Sequence, residues 1–229
     1  HRVDPDIIDM QEVLHHQLEV LKTGLPEYTV VGVGREDGKT AGEYAPIFFK
    51  QAKYTLLDQN TFWLCEKPDS VGMVGWDAAL TRIATWVKLQ DKKTGQILMV
   101  VNTHFDHIGT EARRNSALLI IEKIKEIVGT SPAILTGDFN VSEDWDAYKT
   151  ITNNEFILKD AHKVAGKRTG VDFTYHNFGK IPAEKCEKID FIFVTPQIRV
   201  ISSYIPFSQL NDTLFLSDHN PEIVELEIK

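Results

Sequence analysis

The apolar run Ala133-Ile134-Leu135 delivers the chain into Gly137-Asp138-Phe139-Asn140. An acid and an amide two residues apart, at the end of a buried strand, are read as pointing to one face of a sheet. The segment therefore predicts a sheet edge that carries a carboxylate beside a neutral hydrogen-bonding group. Alone, the tetrapeptide reads equally well as a turn. Its weight comes from three further clusters of the same chemical kind: Gln11-Glu12, Thr103-His104-Phe105-Asp106 and Ser217-Asp218-His219-Asn220. A further acid, Asp190, sits inside the strand-like run Ile189 to Val194. Acids and histidines gathered at the ends of apolar strands are what a metal-dependent phosphoester hydrolase requires.

Length and charge narrow the choice. A chain of 229 residues that is 42% hydrophobic fits a single globular domain over 1–229 with a large core. No apolar stretch approaches the roughly 18 residues of a membrane span. A formal net charge of -8 argues against a broad basic groove for duplex DNA or RNA, since such grooves work by neutralising phosphates. A small phosphorylated partner or a bound metal remains compatible with it, and a monomer is expected. Cys65 and Cys186 read as unpaired structural thiols, with a disulfide open only to an exported protein, and neither has zinc-knuckle spacing. The opening His1-Arg2-Val3-Asp4-Pro5-Asp6 has neither an initiator methionine nor a signal pattern. The native N-terminus is expected to lie outside this sequence, which leaves cytoplasmic and exported locations both open.

Patterning predicts more strands than helices. Strands are expected at Ile7–Val13, Tyr28–Val31, Ala45–Phe49, Phe62–Leu64, Ala133–Leu135, Phe173–Tyr175, Ile189–Val194, Val200–Ile205 and Glu222–Ile228. Ile83–Leu89 and Ile97–Val101 flank the turn Asp91-Lys92-Lys93-Thr94-Gly95 and read as an antiparallel hairpin. Short helices are expected over Leu14–Leu21 and Trp145–Thr152. Ala117, Ile120, Ile121, Ile124, Ile127 and Val128 recur at helical spacing after the candidate N-cap Thr110, and Gly129 closes that helix. Two stacked sheets covered by helices satisfy the pattern.

Each cluster has a plainer alternative. Glu12 could cap the next helix; as a ligand it offers Mg2+ a hard oxygen. His104 could be a satisfied core side chain; alternatively it donates to a phosphoryl oxygen or leaving group, oriented by a carboxylate such as Glu43. Asp190, inside an apolar strand, needs a partner, either a histidine of the site or Lys185 or Lys188. Ser217 to Pro221 could be a turn, but adjacent Asp218 and His219 place an anion beside an imidazole and can set its charge. There is no HExxH, P-loop, G-x-S-x-G elbow or dinucleotide loop.

Taken in order, Gln11-Glu12, Asn102-Thr103-His104, Gly137-Asp138-Phe139-Asn140, Ile189-Asp190-Phe191 and Ser217-Asp218-His219-Asn220-Pro221 resemble the motifs of the endonuclease/exonuclease/phosphatase superfamily. Thr81 to Trp86 and Asn102 to Gly109 look most like an uncharacterised bacterial branch related to the deadenylase/nocturnin group. The resemblance implies a four-layer α/β sandwich, two central mixed sheets flanked by helices, with the site at one sheet edge. It implies Glu12 as the main ligand of Mg2+ (or Mn2+), with Asp218 as a further acid of the metal site. Asp138 would align or deprotonate the attacking water, and Asn140 would hold that water or a phosphoryl oxygen. His219 would contact the phosphoryl group, Asp190 would pair with a histidine, and His104 with Glu43 would sit near the leaving oxygen. Arg82, Asp106 and His107 would bind substrate. In the family a first strand ends in an Asn of the metal site, and this sequence opens after that point. The activity implied is phosphoester hydrolysis on a small phosphorylated metabolite or nucleotide. The runner-up is a single-stranded nucleic-acid exonuclease using Trp76, Trp145, Tyr175 or Phe178 as stacking platforms. A non-catalytic binding module on the same fold is the alternative from another class.

Overall fold

The computed structural model describes residues 3–129, 131–153, 158–207, 209–211 and 214–229. Its first half holds strands β1 (Ile7–Asp9), β2 (Tyr28–Val31), β3 (Ile47–Lys50), β4 (Tyr54–Trp63), β5 (Ile83–Asp91) and β6 (Ile97–His104). Then come β7 (Ala133–Asp138), β8 (Lys159–Asp160), β9 (Lys167–Gly170) and β10 (Asp190–Val194). The chain finishes with β11 (Ile198–Ile205), β12 (Gln209–Asn211), β13 (Leu214–Phe215) and β14 (Ile223–Ile228). The helices are α1 (His15–Gly24), α2 (Thr110–Val128), α3 (Asp146–Thr152) and α4 (Ala161–Val164).

A six-stranded mixed sheet in the order β4-β5-β6-β7-β10-β8 forms one central layer. All its pairings are antiparallel except β6 with β7. Two three-stranded sheets, β1-β3-β2 and β14-β11-β9, form the layer that faces it. Val31, Phe49, Val87, Val100, Ile134, Val194 and Val200 interlock between these layers in one apolar cluster. The other face of the six-stranded sheet buries Val101, Leu135 and Phe191 against Ile120, Ile124 and Ile151 of α2 and α3. On the far side, Phe48 packs on Leu18 of α1. Helix, sheet, sheet and helix thus stack in the four layers the motifs imply.

Four expectations change. The strand at Ile7 ends at Asp9, because Met10 N–H turns to the carbonyl of Pro46 and the chain bends through residues 11 and 12. The strand expected at Phe62 begins at Tyr54; its outer residues are exposed, so polar side chains there gave no apolar signal. Phe173–Tyr175 is no strand: Tyr175 makes only isolated bridges, to Glu187 and to His219. Thr110 is the first residue of α2 rather than its cap, a place taken by Gly109. Both cysteines are free. No helix among the described residues is long and apolar enough to cross a membrane.

Candidate active site

Register builds the centre of the site. β6 and β7 run parallel with His104 opposite Asp138, and β7 and β10 run antiparallel with Asp138 opposite Asp190. Three adjacent strand ends therefore present His104, Asp138 and Asp190 in a row at one edge of the six-stranded sheet. Gly137 makes this close lateral fit possible: a Cβ there would lie 2.3 Å from the carbonyl oxygen of Thr103. From the facing layer come Glu12, after β1, and His219, before β14.

The side chains meet. His219 Nδ1 lies 2.7 Å from Asp190 Oδ2, and its Nε2 lies 4.0 Å from Asp138 Oδ2. His104 Nε2 is 3.5 Å from that same Asp138 oxygen. Ligating atoms of Glu12, His104 and Asp138 all fall within 4.8 Å of one another, as do those of Asp138, Asp190 and His219. Glu12 adopts a left-handed backbone with φ of 59°, an unusual conformation for a glutamate that costs of order 1–3 kcal/mol. Its loop is held by Gln11, whose Nε2 donates to Asn102 Oδ1 at 2.7 Å; Asn102 Nδ2 in turn donates to the carbonyls of Met10 and Pro46. Gln11 and Asn102 belong to the sequence motifs but carry no role in them. Their signal was available: an asparagine inside a fully buried strand must find partners.

Electrostatics follow from crowding. Burial, and then the charge of Asp190, push Asp138 up to about 8. Burial alone would depress His219, but the Asp190 hydrogen bond and the charges of Asp190, Asp138 and Asp218 lift it to about 9. Glu12 is raised by burial and by Glu43 and Asp218. His104 is held neutral, well below the ordinary imidazole range, by burial and by Arg82 and Arg35. Burial and the neighbouring acids thus resist ionisation of the Glu12 and Asp138 carboxylates by more than His219 and Arg82 offset it. Glu12, His104 and Asp138 offer two carboxylates and an imidazole that could hold a divalent ion, whose charge would favour the ionised carboxylates.

Other expected residues fall elsewhere. Glu43 does not reach His104; Arg35 Nη1 takes its Oε2 at 2.6 Å, and His104 Nδ1 is buried without a partner. The two residues line one small cavity with Arg35 and Arg82. Asp106 is only 1% exposed and is spent internally: its oxygens accept the backbone N–H groups of Ala79, Leu80, Ile108 and Gly109 and face Arg82. Burial would raise its pKa, yet those N–H groups and Arg82 hold it far below the usual carboxylate range. It is a structural anchor, not a substrate contact. Arg82 is buried and props His107, with Nη2 at 3.1 Å from its Nδ1. The Asp218 carboxylate belongs to neither ligand cluster, although its charge reaches Glu12; its backbone carbonyl accepts from His176 and Asn177. Asn140 is left-handed, with φ of 50°, rather than continuing the strand, so it does not alternate with Asp138. Its N–H donates to Asp138 Oδ1 and its Nδ2 to the carbonyl of Phe105. Lys188 touches the backbone carbonyl of Asp190 and spends its charge on Glu222 at 2.8 Å, leaving the Asp190 carboxylate to His219. Tyr175 packs 5.0 Å from the His219 ring.

The sequence profile of the Endonuclease/Exonuclease/phosphatase family matches residues 1–219. A solved endonuclease/exonuclease/phosphatase from Bacteroides vulgatus is 64% identical, covering 98% of this chain and 85% of its own, with a TM-score of 0.95. A mannosyl-6-phosphatase of Bacteroides thetaiotaomicron is 38% identical, with coverages of 97% and 85% and a TM-score of 0.91. The catalytic domain of human nocturnin, solved with bound sulfate, shares the fold at 18% identity, with coverages of 98% and 81% and a TM-score of 0.77.

Proposed function

The chain belongs to the endonuclease/exonuclease/phosphatase family, and on that premise we propose that it is a divalent-metal-dependent phosphoesterase whose substrate is a phosphomonoester of a small metabolite. The observation that carries this reading is the row His104, Asp138, Asp190, closed from the facing layer by Glu12 and His219. Similarity to a mannosyl-6-phosphatase supports the phosphatase side of the family's range.

Glu12 would hold the ion, which when bound supplies Lewis-acid stabilisation of phosphoryl charge. Asp190 accepts from His219 Nδ1, which leaves Nε2–H as the free end of a charged imidazole. That Nε2–H donates to a phosphoryl oxygen as its charge grows in the transition state. Asp138 aligns the attacking water and takes its proton, with Asn140 anchored beside it to hold the water or a phosphoryl oxygen. Neutral His104 stands on the other side of Asp138, toward the leaving oxygen. A single-stranded exonuclease is the second reading, favoured by Tyr175 as a stacking surface against His219.

A Mg2+ activity panel tests the proposal, comparing sugar phosphates, a generic phosphodiester, single-stranded oligonucleotides and sphingomyelin. Hydrolysis of monoesters ahead of the rest is expected. Glu12→Gln should raise the Mg2+ requirement and lower turnover. An unchanged metal dependence in that variant removes Glu12 as the ligand, and preference for oligonucleotides replaces the first reading with the second.

A further inference from the structure

Beside the cluster, on the helix side of the six-stranded sheet, lies a depression of about 300 Å3 lined by Thr110, Arg113, Val141, Asp144, Trp145 and Asp146. It shares a wall with the site. Val141 follows Asn140, whose Nδ2 donates to the carbonyl of Phe105, while Arg113 Nη1 donates to the next carbonyl, that of Asp106. The same two-residue stretch therefore anchors both places.

Its chemistry is not that of a packing defect. Arg113 is 4% exposed and is fixed by the Asp106 carbonyl and by Thr110 Oγ1, with Nε buried and unpartnered. Its guanidinium stands 5.0 Å over the Trp145 ring. Trp145 is nevertheless 44% exposed, so a ring backed by a buried cation still presents area to solvent. Exposed aromatic area held rigid costs little entropy to use and suits the C–H face of a flat ligand. Asp144 and Asp146, on either side of Trp145, are both exposed and offer acceptors to hydroxyl groups. Two carboxylates against one engaged guanidinium also repel a second phosphate, and with it a nucleic-acid backbone.

We propose that this depression is a glycosyl subsite, holding the neutral polyhydroxylated part of a substrate whose single phosphate lies at the Glu12–Asp138–His219 cluster; the proposal rests on the phosphoesterase reading. Trp145 is the stacking plate, and Asp144 and Asp146 the hydroxyl acceptors. They determine specificity and take no part in the chemical step.

The test has two arms on the full chain. In the first, kcat/KM is measured for mannose 6-phosphate and for methyl phosphate. Trp145→Ala should lower the first about tenfold and leave the second within about twofold. Asp144→Asn with Asp146→Asn, at exposed positions where folding is little at risk, should act in the same direction. In the second arm, saturation-transfer NMR with phosphate-free methyl mannoside reads binding without turnover; signal is expected with the parent and lost in Trp145→Ala. Equal loss on both substrates, an undiminished methyl mannoside signal in the variant, or stronger saturation of adenosine than of the mannoside would each overturn the glycosyl subsite. If no monoester is hydrolysed by the parent, the phosphoesterase reading fails, while the NMR arm still judges the subsite.

Discussion

Replacing Asp190 by Asn isolates what the strand-end carboxylate does for His219. Nothing larger than an oxygen-to-nitrogen exchange occurs, so the β7–β10 register is preserved. Asp190 Oδ2 lies 2.7 Å from His219 Nδ1, and His219 stands at about 9 against an ordinary 6.5. That difference corresponds to about 3 kcal/mol favouring the charged ring. With the carboxylate gone, burial is opposed only by the charges of Asp138 and Asp218, and the ring's hold on its proton should weaken. A donor to the phosphoryl group is then weakened, and kcat should fall about 10²–10³-fold. The sharper assay is the pH profile of kcat/KM at saturating Mg2+, read beside an NMR titration of the His219 ring. The metal-free parent ring should titrate near pH 9, and both that titration and the alkaline limb of the activity profile should move to lower pH in the variant. Stability moves with the same sign. A folded-state pKa above the unfolded one stabilises fully below about pH 6.5 and is lost as pH rises through about 9. That component should vanish in Asp190→Asn. An alkaline limb that stays in place in the variant would refute the assignment of His219 as the charged donor.

Further outcomes are expected. Asp138, at about 8, and His219, at about 9, both hold protons more tightly folded than unfolded, so the metal-free protein should lose stability between about pH 4 and 9. Saturating Mg2+ should flatten that decline by displacing protons, with a larger gain in melting temperature at pH 8 than at pH 6. Asp106→Asn replaces one acceptor oxygen by an NH2 group, strands at least one of the backbone donors that meet it, and should cost about 1–3 kcal/mol in denaturant unfolding, with turnover per folded molecule within a few-fold. Lys188→Met leaves the Glu222 carboxylate buried with only Ser203 Oγ and His162 beside it and should cost about 3–5 kcal/mol in denaturant unfolding, part of it recovered by adding Glu222→Gln.

The strand ends were legible because burial leaves a direct trace: Ile97 to Val101 and Ala133 to Leu135 can only be interior, so the polar residues that follow them must emerge at an edge. The partnership of Asp190 with a histidine was legible for a related reason, since an acid between Ile189 and Phe191 cannot remain alone. What failed was whatever depended on loop geometry. Arg35 lies in the glycine-rich stretch after β2, and nothing in its neighbours says that the loop folds back to take Glu43 from His104. Asp106 looks like Asp138 in sequence, an acid just past an apolar strand. Only the converging N–H groups of residues 79–80 and 108–109 mark it as an anchor. Asn140 failed for a different reason: two-residue alternation holds only while the chain is extended, and here the strand stops at Asp138.

The division of the cluster between two layers explains its electrostatics. His104, Asp138 and Asp190 are fixed by hydrogen-bond register within one sheet and cannot spread apart to relieve repulsion between the two acids. Glu12 and His219 arrive from the facing layer, and the Gln11–Asn102–Met10 hook sets where Glu12 can stand. Acids pinned by backbone pairing have three ways to lower their mutual repulsion: take up a proton, gather a charged imidazole, or bind a cation. The metal-free protein uses the first two, with Asp138 raised and His219 charged against Asp190. A divalent cation beside Glu12 would serve the third need, and its charge would favour the ionised form of Asp138. The strained backbone at Glu12 has the same logic. A left-handed glutamate is unfavourable in the chain alone, and it is kept where its carboxylate must reach the ligating atoms of His104 and Asp138.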